Sequence, residues 1–214
     1  MARLPDPPLL VISDRRQAAN PLEKIAEAVF AGGCRWFSLR EKDLGPVERR
    51  ALLGAVVAIG RRHGATVTIH DDIDAMVRTE ASGVHLPSGA SPAAVRARFP
   101  DALIGASAHS AEEASVLLSA GTDYISVSPV FITASKPGYG PAIGLDGLAR
   151  IVAQVSGPVV ALGGITADNA ALCLSAGAHG VAVMGEVMRA TALSKFNENL
   201  WLTGVILFAS SLGP

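Results

Sequence analysis

Three cations stand where chemistry could use them. Arg40 and Lys42 sit two residues apart in LREKD, directly after the apolar run RWFSL. Lys136 is alone in SPVFITASKPGYGPAIG, a loop rich in glycine, proline and hydroxyls that follows another apolar run. Cations at i and i+2 of one strand would both face inward, one pleat apart. With hydroxyls from Ser107, Thr133 and Ser135, such a cluster suits a diphosphate, whose charge grows as it becomes a leaving group. The competing reading is a solvated charged rim, since Arg and Lys are mostly exposed. Arg40 follows WFSL without a break, which argues against a casual surface arginine.

A second anion feature is the pair Gly163-Gly164, with Gly185 closing the next apolar run. Bare backbone lets an anion approach N–H groups closely. The alternative is a tight turn and nothing more. Asp71 and Asp72 could hold Mg²⁺, which takes one or two carboxylates plus substrate phosphates. Asp72 equally suits an N-cap for a helix starting near Ile73, so Asp71 is the better ligand candidate. His109 and His70 are candidates for proton transfer or substrate contact, and His109 could instead cap the AEEA helix or sit hydrogen-bonded in a rim. Asp14 and Glu186 read as caps or rim ion-pair partners.

These residues share a position: each stands at the end of a short apolar run or just after it. The runs are LLVIS (9–13), RWFSLR (35–40), TVTIH (66–70), GVHL (83–86), LIGASA (103–108), YISVSPVF (124–131), PVVALGGI (158–165) and GVAVMG (180–185). They are nearly continuously apolar, as parallel strands buried on both faces should be. Helical patterns such as PLEKIAEAVFAG, SPAAVRARF and DNAALCLSAG alternate with them. The junction recurs as AGGCRWFSL, AGTDYISV and AGAHGVAV, with glycine a plausible left-handed helix stop. Eight such units predict an α/β fold, a single-domain (β/α)₈ TIM barrel whose site lies at the C-terminal strand ends. A doubly wound open sheet is the alternative, but no GxGxxG follows the first strand.

Bulk properties exclude several classes. The chain has 214 residues, 50% of them hydrophobic, enough for one sizeable core. A net charge of −1 gives no reason to expect a nucleic-acid partner. Cys34 and Cys173 are far apart and lack metal spacing, which suits core filling and a reducing cytoplasm. MARLPDPPLL lacks the long apolar region of a signal peptide, and the run from Leu200 to Ala209 is about half a bilayer span, so no membrane partner is expected.

The ordered motifs LREKD (39–43), IHDD (69–72), GVHL (83–86), IGASAHS (104–110), DYISVSPVFITASKPG (123–138), VVALGGIT (159–166) and GVAVMGEV (180–187) resemble the thiamine phosphate synthases and the related TenI-type thiazole tautomerases. The likeness covers roughly residues 9–190. For the synthase branch it implies that hydroxymethylpyrimidine diphosphate ionises and a thiazole phosphate captures the cation. It implies Mg²⁺ with Asp71 as ligand, and Arg40, Lys42, Ser107 and Lys136 facing the diphosphate. Thr133, Ser135 and the backbone at Gly163, Gly164 and Gly185 would receive the thiazole phosphate, and Ser38 and His70 would occupy further substrate-binding positions. Lys136 would then ride a loop able to close over substrate and keep water from a reactive cation.

The chain also departs from that pattern. Synthases usually carry Gln where Ser38 stands and Asn where His70 stands. Their Gly-Gln-x-Asp after GVHL is Pro87-Ser88-Gly89-Ala90 here, so Ala90 replaces a second metal carboxylate and a weakened or altered Mg²⁺ site is expected. The LPSG run is tautomerase-like, yet Pro129 stands where that branch has a catalytic His. A tautomerase using His109 or His70, and a non-catalytic barrel that binds thiazole or thiamine phosphate, are the alternatives. The apolar tail LWLTGVILFASSLGP replaces an amphipathic last helix, and would bury against the barrel or a second copy, leaving a homo-oligomer open.

Overall fold

The computed structural model describes residues 4–133 and 141–197. Eight parallel strands close into a barrel in sequence order: β1 (Leu9–Ile12), β2 (Trp36–Leu39), β3 (Thr66–His70), β4 (Gly83–Leu86), β5 (Leu103–Ala108), β6 (Tyr124–Val127), β7 (Val159–Leu162) and β8 (Gly180–Val183). The open-sheet alternative is thereby excluded. The helices between them are α1 (Leu22–Ala31), α2 (Pro46–Arg62), α3 (Ile73–Thr79), α4 (Pro92–Arg98), α5 (Ala111–Ser119), α6 (Gly144–Gln154) and α7 (Ala167–Ser175). Two short helices, α8 (Gly185–Met188) and α9 (Ser194–Asn197), follow β8.

The strands are apolar throughout because both faces are covered. Outward residues such as Val11, Phe37, Ile69, Val84, Ile104, Ile125, Val159 and Val181 pack under the helices in one large core. Inward residues form a second cluster of Leu10, Ile12, Trp36, Leu103, Tyr124, Val160 and Ala182. Trp36 and Tyr124 meet edge to face, ring centroids 4.8 Å apart. Gly105 is required there, because a Cβ on it would overlap the Tyr124 ring. Cys34 and Cys173 are both buried thiols, as core filling predicts.

Towards the C-terminal mouth the inward positions turn polar. Register pairs Ser38 with Thr68, His70 with His85, and Ser107 with Ser126 across neighbouring strands. Helix stops follow the junction motif: Gly33, Gly121 and Gly177 have φ of 100°, 100° and 95°. In AGTDY, Asp123 accepts from Arg96 Nη2 at 2.6 Å and from the Ile104 N–H at 2.7 Å, fixing α4 against β5 and β6. Five strands are shorter than their apolar runs, β6 and β7 by the most. β6 ends at Val127 because Pro129 offers no N–H to the ladder, and β7 ends before the left-handed Gly163-Gly164. Among the described residues, no helix is long and apolar enough to cross a membrane.

Candidate active site

A cavity of about 540 Å³ opens at the C-terminal mouth of the barrel, within the usual range for a small-molecule site. Arg40, Lys42, His70, Asp71, Ser107, His109, Thr133, Gly163, Gly164 and Gly185 all line it. The structure thus brings together these residues, drawn from β2, β3, β5, β6, β7 and β8. Ser135 and Lys136 lie outside the described residues, as does the apolar tail.

Arg40 and Lys42 reach the cavity for a different reason from the one expected. β2 ends at Leu39, so both cations lie beyond the strand and no pleat aligns them. The alternation comes from Glu41, which is 3% exposed and turned the other way. Its Oε1 accepts from Ser13 Oγ at 2.6 Å, and its carboxylate accepts from the Arg15 N–H at 3.0 and 3.2 Å. Ser13 Oγ in turn accepts from the Arg40 N–H at 2.8 Å. This latch to the loop after β1 holds Arg40 and Lys42 on the cavity side. Burial raises the Glu41 carboxyl above the usual range, opposed by its hydrogen bonds.

Ser38 is not on the cavity wall. It is fully buried and accepts from Thr68 Oγ1 at 2.8 Å, lower in the barrel, because its short side chain cannot span from that register position to the mouth. Ser38 is thus set apart from the residues that line the cavity.

The cavity is also lined by the imidazole of the GVHL run, a strand-end residue to which the sequence reading gave no role. His85 is 2% exposed and stacks obliquely on His70, centroids 4.6 Å apart. Its Nδ1 meets Tyr124 Oη at 3.0 Å and its Nε2 meets Ser107 Oγ at 3.0 Å. Desolvation, then the positive charge of Arg40, lowers its pKa to about 4. It is therefore neutral near pH 7. The signal for it was an ionisable residue inside a run whose two faces are both covered.

Asp71 lies just past β3 with φ 52° and an exposed side chain; its N–H donates to the His85 carbonyl at 3.0 Å. Asp72 caps α3, accepting from the Ala75 N–H at 2.9 Å, and pairs with Arg49 at 3.2 Å. Ala90 is not on the wall; it is partly buried against the outer core. Among the described residues, no group of three or more His, Cys, Asp or Glu is arranged to hold a metal. Asp71, which shares the cavity lining with Asp14 and Glu186, fits Mg²⁺ that arrives with phosphates rather than a preformed protein cage. His109 Nδ1 lies 3.2 Å from the Ser128 carbonyl, which can only accept, so Nδ1 carries the proton in the neutral ring. Ser110, not His109, caps α5.

Gly163 and Gly164 adopt φ of 98° and 66°. A Cβ on Gly164 would fall 2.6 Å from the Ile132 carbonyl oxygen, so the turn must be glycine to pack on the segment after β6. Asn169 Nδ2 donates to the Gly164 carbonyl at 2.9 Å and its Oδ1 accepts from the Thr166 N–H at 2.8 Å, locking the turn to α7. Tight-turn geometry and a place on the cavity wall thus coexist. Gly185 is covered by the guanidinium of Arg189, which also lines the cavity and donates to Gln17 Oε1 at 2.7 Å. Gln17 is held by Asp14 Oδ2 at 2.6 Å. Arg189 was missed because it lies beyond the strand-end motif; its spacing of four from Gly185 across one short helix was the available signal.

The fold is a (β/α)₈ barrel with a cavity at its C-terminal mouth that gathers Arg40, Lys42 and Arg189 beside three glycines. Residues 9–187 match the thiamine monophosphate synthase family. A thiamine-phosphate synthase from Roseiflexus sp. (strain RS-1) is 38% identical over 84% of this chain and 78% of its own. Another, from Moorella thermoacetica, is 37% identical over 85% of this chain and 87% of its own. The solved thiamine phosphate pyrophosphorylase from Pyrococcus furiosus superposes with a TM-score of 0.82 at 33% identity, covering 94% of this chain and 96% of that one. The chain belongs to the thiamine monophosphate synthase family and is an enzyme of that type, a transferase of thiamine biosynthesis.

Proposed function

We propose that the enzyme joins hydroxymethylpyrimidine diphosphate to a thiazole phosphate. The carbon–oxygen bond of the pyrimidine methylene breaks, and its electron pair leaves with diphosphate. The thiazole nitrogen lone pair then forms the new carbon–nitrogen bond. The observation that carries this reading is one cavity lined by two anion-suited sets of residues: Arg40, Lys42 and Ser107, and Gly163, Gly164, Gly185 and Arg189. Two phosphorylated substrates need two such sets. A tautomerase needs one phosphate site and a base, and leaves Arg40 and Lys42 without a role.

In this mechanism Arg40, Lys42, Ser107 and Lys136 hold the diphosphate and stabilise the charge it gains on leaving. Thr133, Ser135 and the glycine backbone hold the thiazole phosphate. Asp71 would hold Mg²⁺, which when bound would neutralise diphosphate charge. The small-molecule walls of Ile12, Leu162 and Met184 limit water around the pyrimidine.

The test is to incubate the protein with both substrates and Mg²⁺ and follow thiamine phosphate by thiochrome fluorescence. Product is expected, with Lys136→Ala lowering turnover by about 10²–10³-fold. No product from folded protein, with isomerisation of a thiazole phosphate that survives EDTA, would move the enzyme to the tautomerase branch. Binding of either phosphate without turnover would leave a binding barrel.

A further inference from the structure

The buried hydroxyls around His85 have few partners, and counting their protons fixes which way each bond runs. Tyr124 is fully buried, and its Oη has one polar contact among the described residues, His85 Nδ1 at 3.0 Å. A buried phenol proton needs an acceptor. Nδ1 accepts only when it carries no proton, so neutral His85 bears its proton on Nε2. The reverse tautomer would strand the Tyr124 proton. From Nε2 the donation goes to Ser107 Oγ at 3.0 Å, with Ser126 Oγ a longer neighbour at 3.3 Å. Ser126 is also fully buried, and its hydroxyl donates to Ser107 Oγ at 3.4 Å. Ser107 therefore accepts twice from below. The capacity it has left is its own O–H, on a residue that lines the cavity.

We propose that Tyr124 and His85 are positioning residues, a one-way relay that fixes Ser107 as a hydrogen-bond donor to an anionic ligand in the cavity. Which anion this is, the diphosphate, rests on the synthase reading above. The direction of the relay does not. A serine free to rotate offers an anion either its proton or its lone pairs. Here the lone pairs are engaged in advance, so no reorientation is needed when negative charge grows beside Arg40. His85 serves only in its neutral form and takes no proton from the reaction.

The tautomer is read directly from ¹⁵N shifts of labelled histidine, and affinity from titration calorimetry with inorganic pyrophosphate and Mg²⁺. In the unmodified protein near pH 7, His85 is expected as the Nε2–H form. Tyr124→Phe keeps the ring, releases the tautomer towards Nδ1–H, and weakens pyrophosphate about three- to tenfold while the KM for thiazole phosphate holds. A loss of packing alone would shift neither tautomer nor affinity ratio. An Nδ1–H tautomer in the unmodified protein overturns the relay. So does Ser107→Ala weakening pyrophosphate when Tyr124→Phe does not. Pyrophosphate failing to bind even the unmodified protein would overturn the synthase reading, and the diphosphate assignment with it, whatever the tautomer.

Discussion

Single residues near the mouth are held by contacts made far away in sequence. Glu41 lies between two cavity cations yet contacts Ser13 and Arg15, not the cavity. Replacing its carboxylate would free the loop, so loss of activity in a Glu41 variant reports on Arg40 and Lys42 rather than on Glu41 itself. Asp71 is simpler, because its side chain is exposed and its backbone bond to His85 survives substitution. Asp71→Asn is expected to raise the Mg²⁺ concentration for half-maximal turnover about tenfold with little change in thermal stability. An unchanged Mg²⁺ requirement would take Asp71 out of the metal's shell. IHDD showed that a carboxylate pair followed a strand. A helix start near Ile73 also pointed to Asp72 as the cap, and α3 begins there, leaving Asp71 on the cavity lining.

At the level of elements, glycines decide where strands may approach and turn. Gly105 on β5 makes room for the Tyr124 ring on β6, and that ring carries the hydroxyl that orients His85. Gly105→Ala is expected to destabilise the fold by about 3 kcal/mol or more, because the added methyl meets a ring with no space to retreat. Chemical denaturation would measure this, and a cost under about 1 kcal/mol would mean the β5–β6 packing relaxes more easily than the geometry implies. The strand count was legible because burial on both faces leaves a one-dimensional apolar trace. The ends of β6 and β7 were overrun because SPVF and LGGI stay apolar after the ladder has stopped. There, Pro129 and the left-handed glycines govern, not hydrophobicity.

For the molecule as a whole, the barrel interior stores a pH dependence. The His85 pKa is depressed to about 4, so the unfolded chain takes up this proton first as pH falls. Its contribution is present above the unfolded value near 6.5 and is lost as pH drops through that range towards 4. The total is on the order of 3 kcal/mol. Arg40, His70 and Tyr124 surround the ring, and none supplies a counter-charge to an imidazolium. Glu41 works in the opposite sense. Its raised pKa makes the folded state the tighter proton binder, so acidification through that range favours folding. The expected result is a falling Tm between pH 7 and pH 5, with a shallower slope in His85→Asn. Equal slopes would mean that His85 is hydrated enough to titrate normally.

The barrel was legible in the chain alone: eight apolar runs, glycine helix stops, and polar residues collected at the ends of the runs. Asp72 was likewise legible as a cap, because capping is read from a few neighbouring residues. Tertiary structure decided what those polar residues face. Ser38 turned out to be buried against Thr68. Arg40 and Lys42 reach the cavity through a buried carboxylate bonded 28 residues away. Arg189 arrived over Gly185 from beyond the last strand, and His85 became a neutral member of a network spanning β4, β5 and β6. The physical reason is common to all four. Burial on both strand faces is a property each run carries alone. The direction of a side chain past a strand end, and the proton on a buried ring, are set by partners that only closure of the barrel supplies.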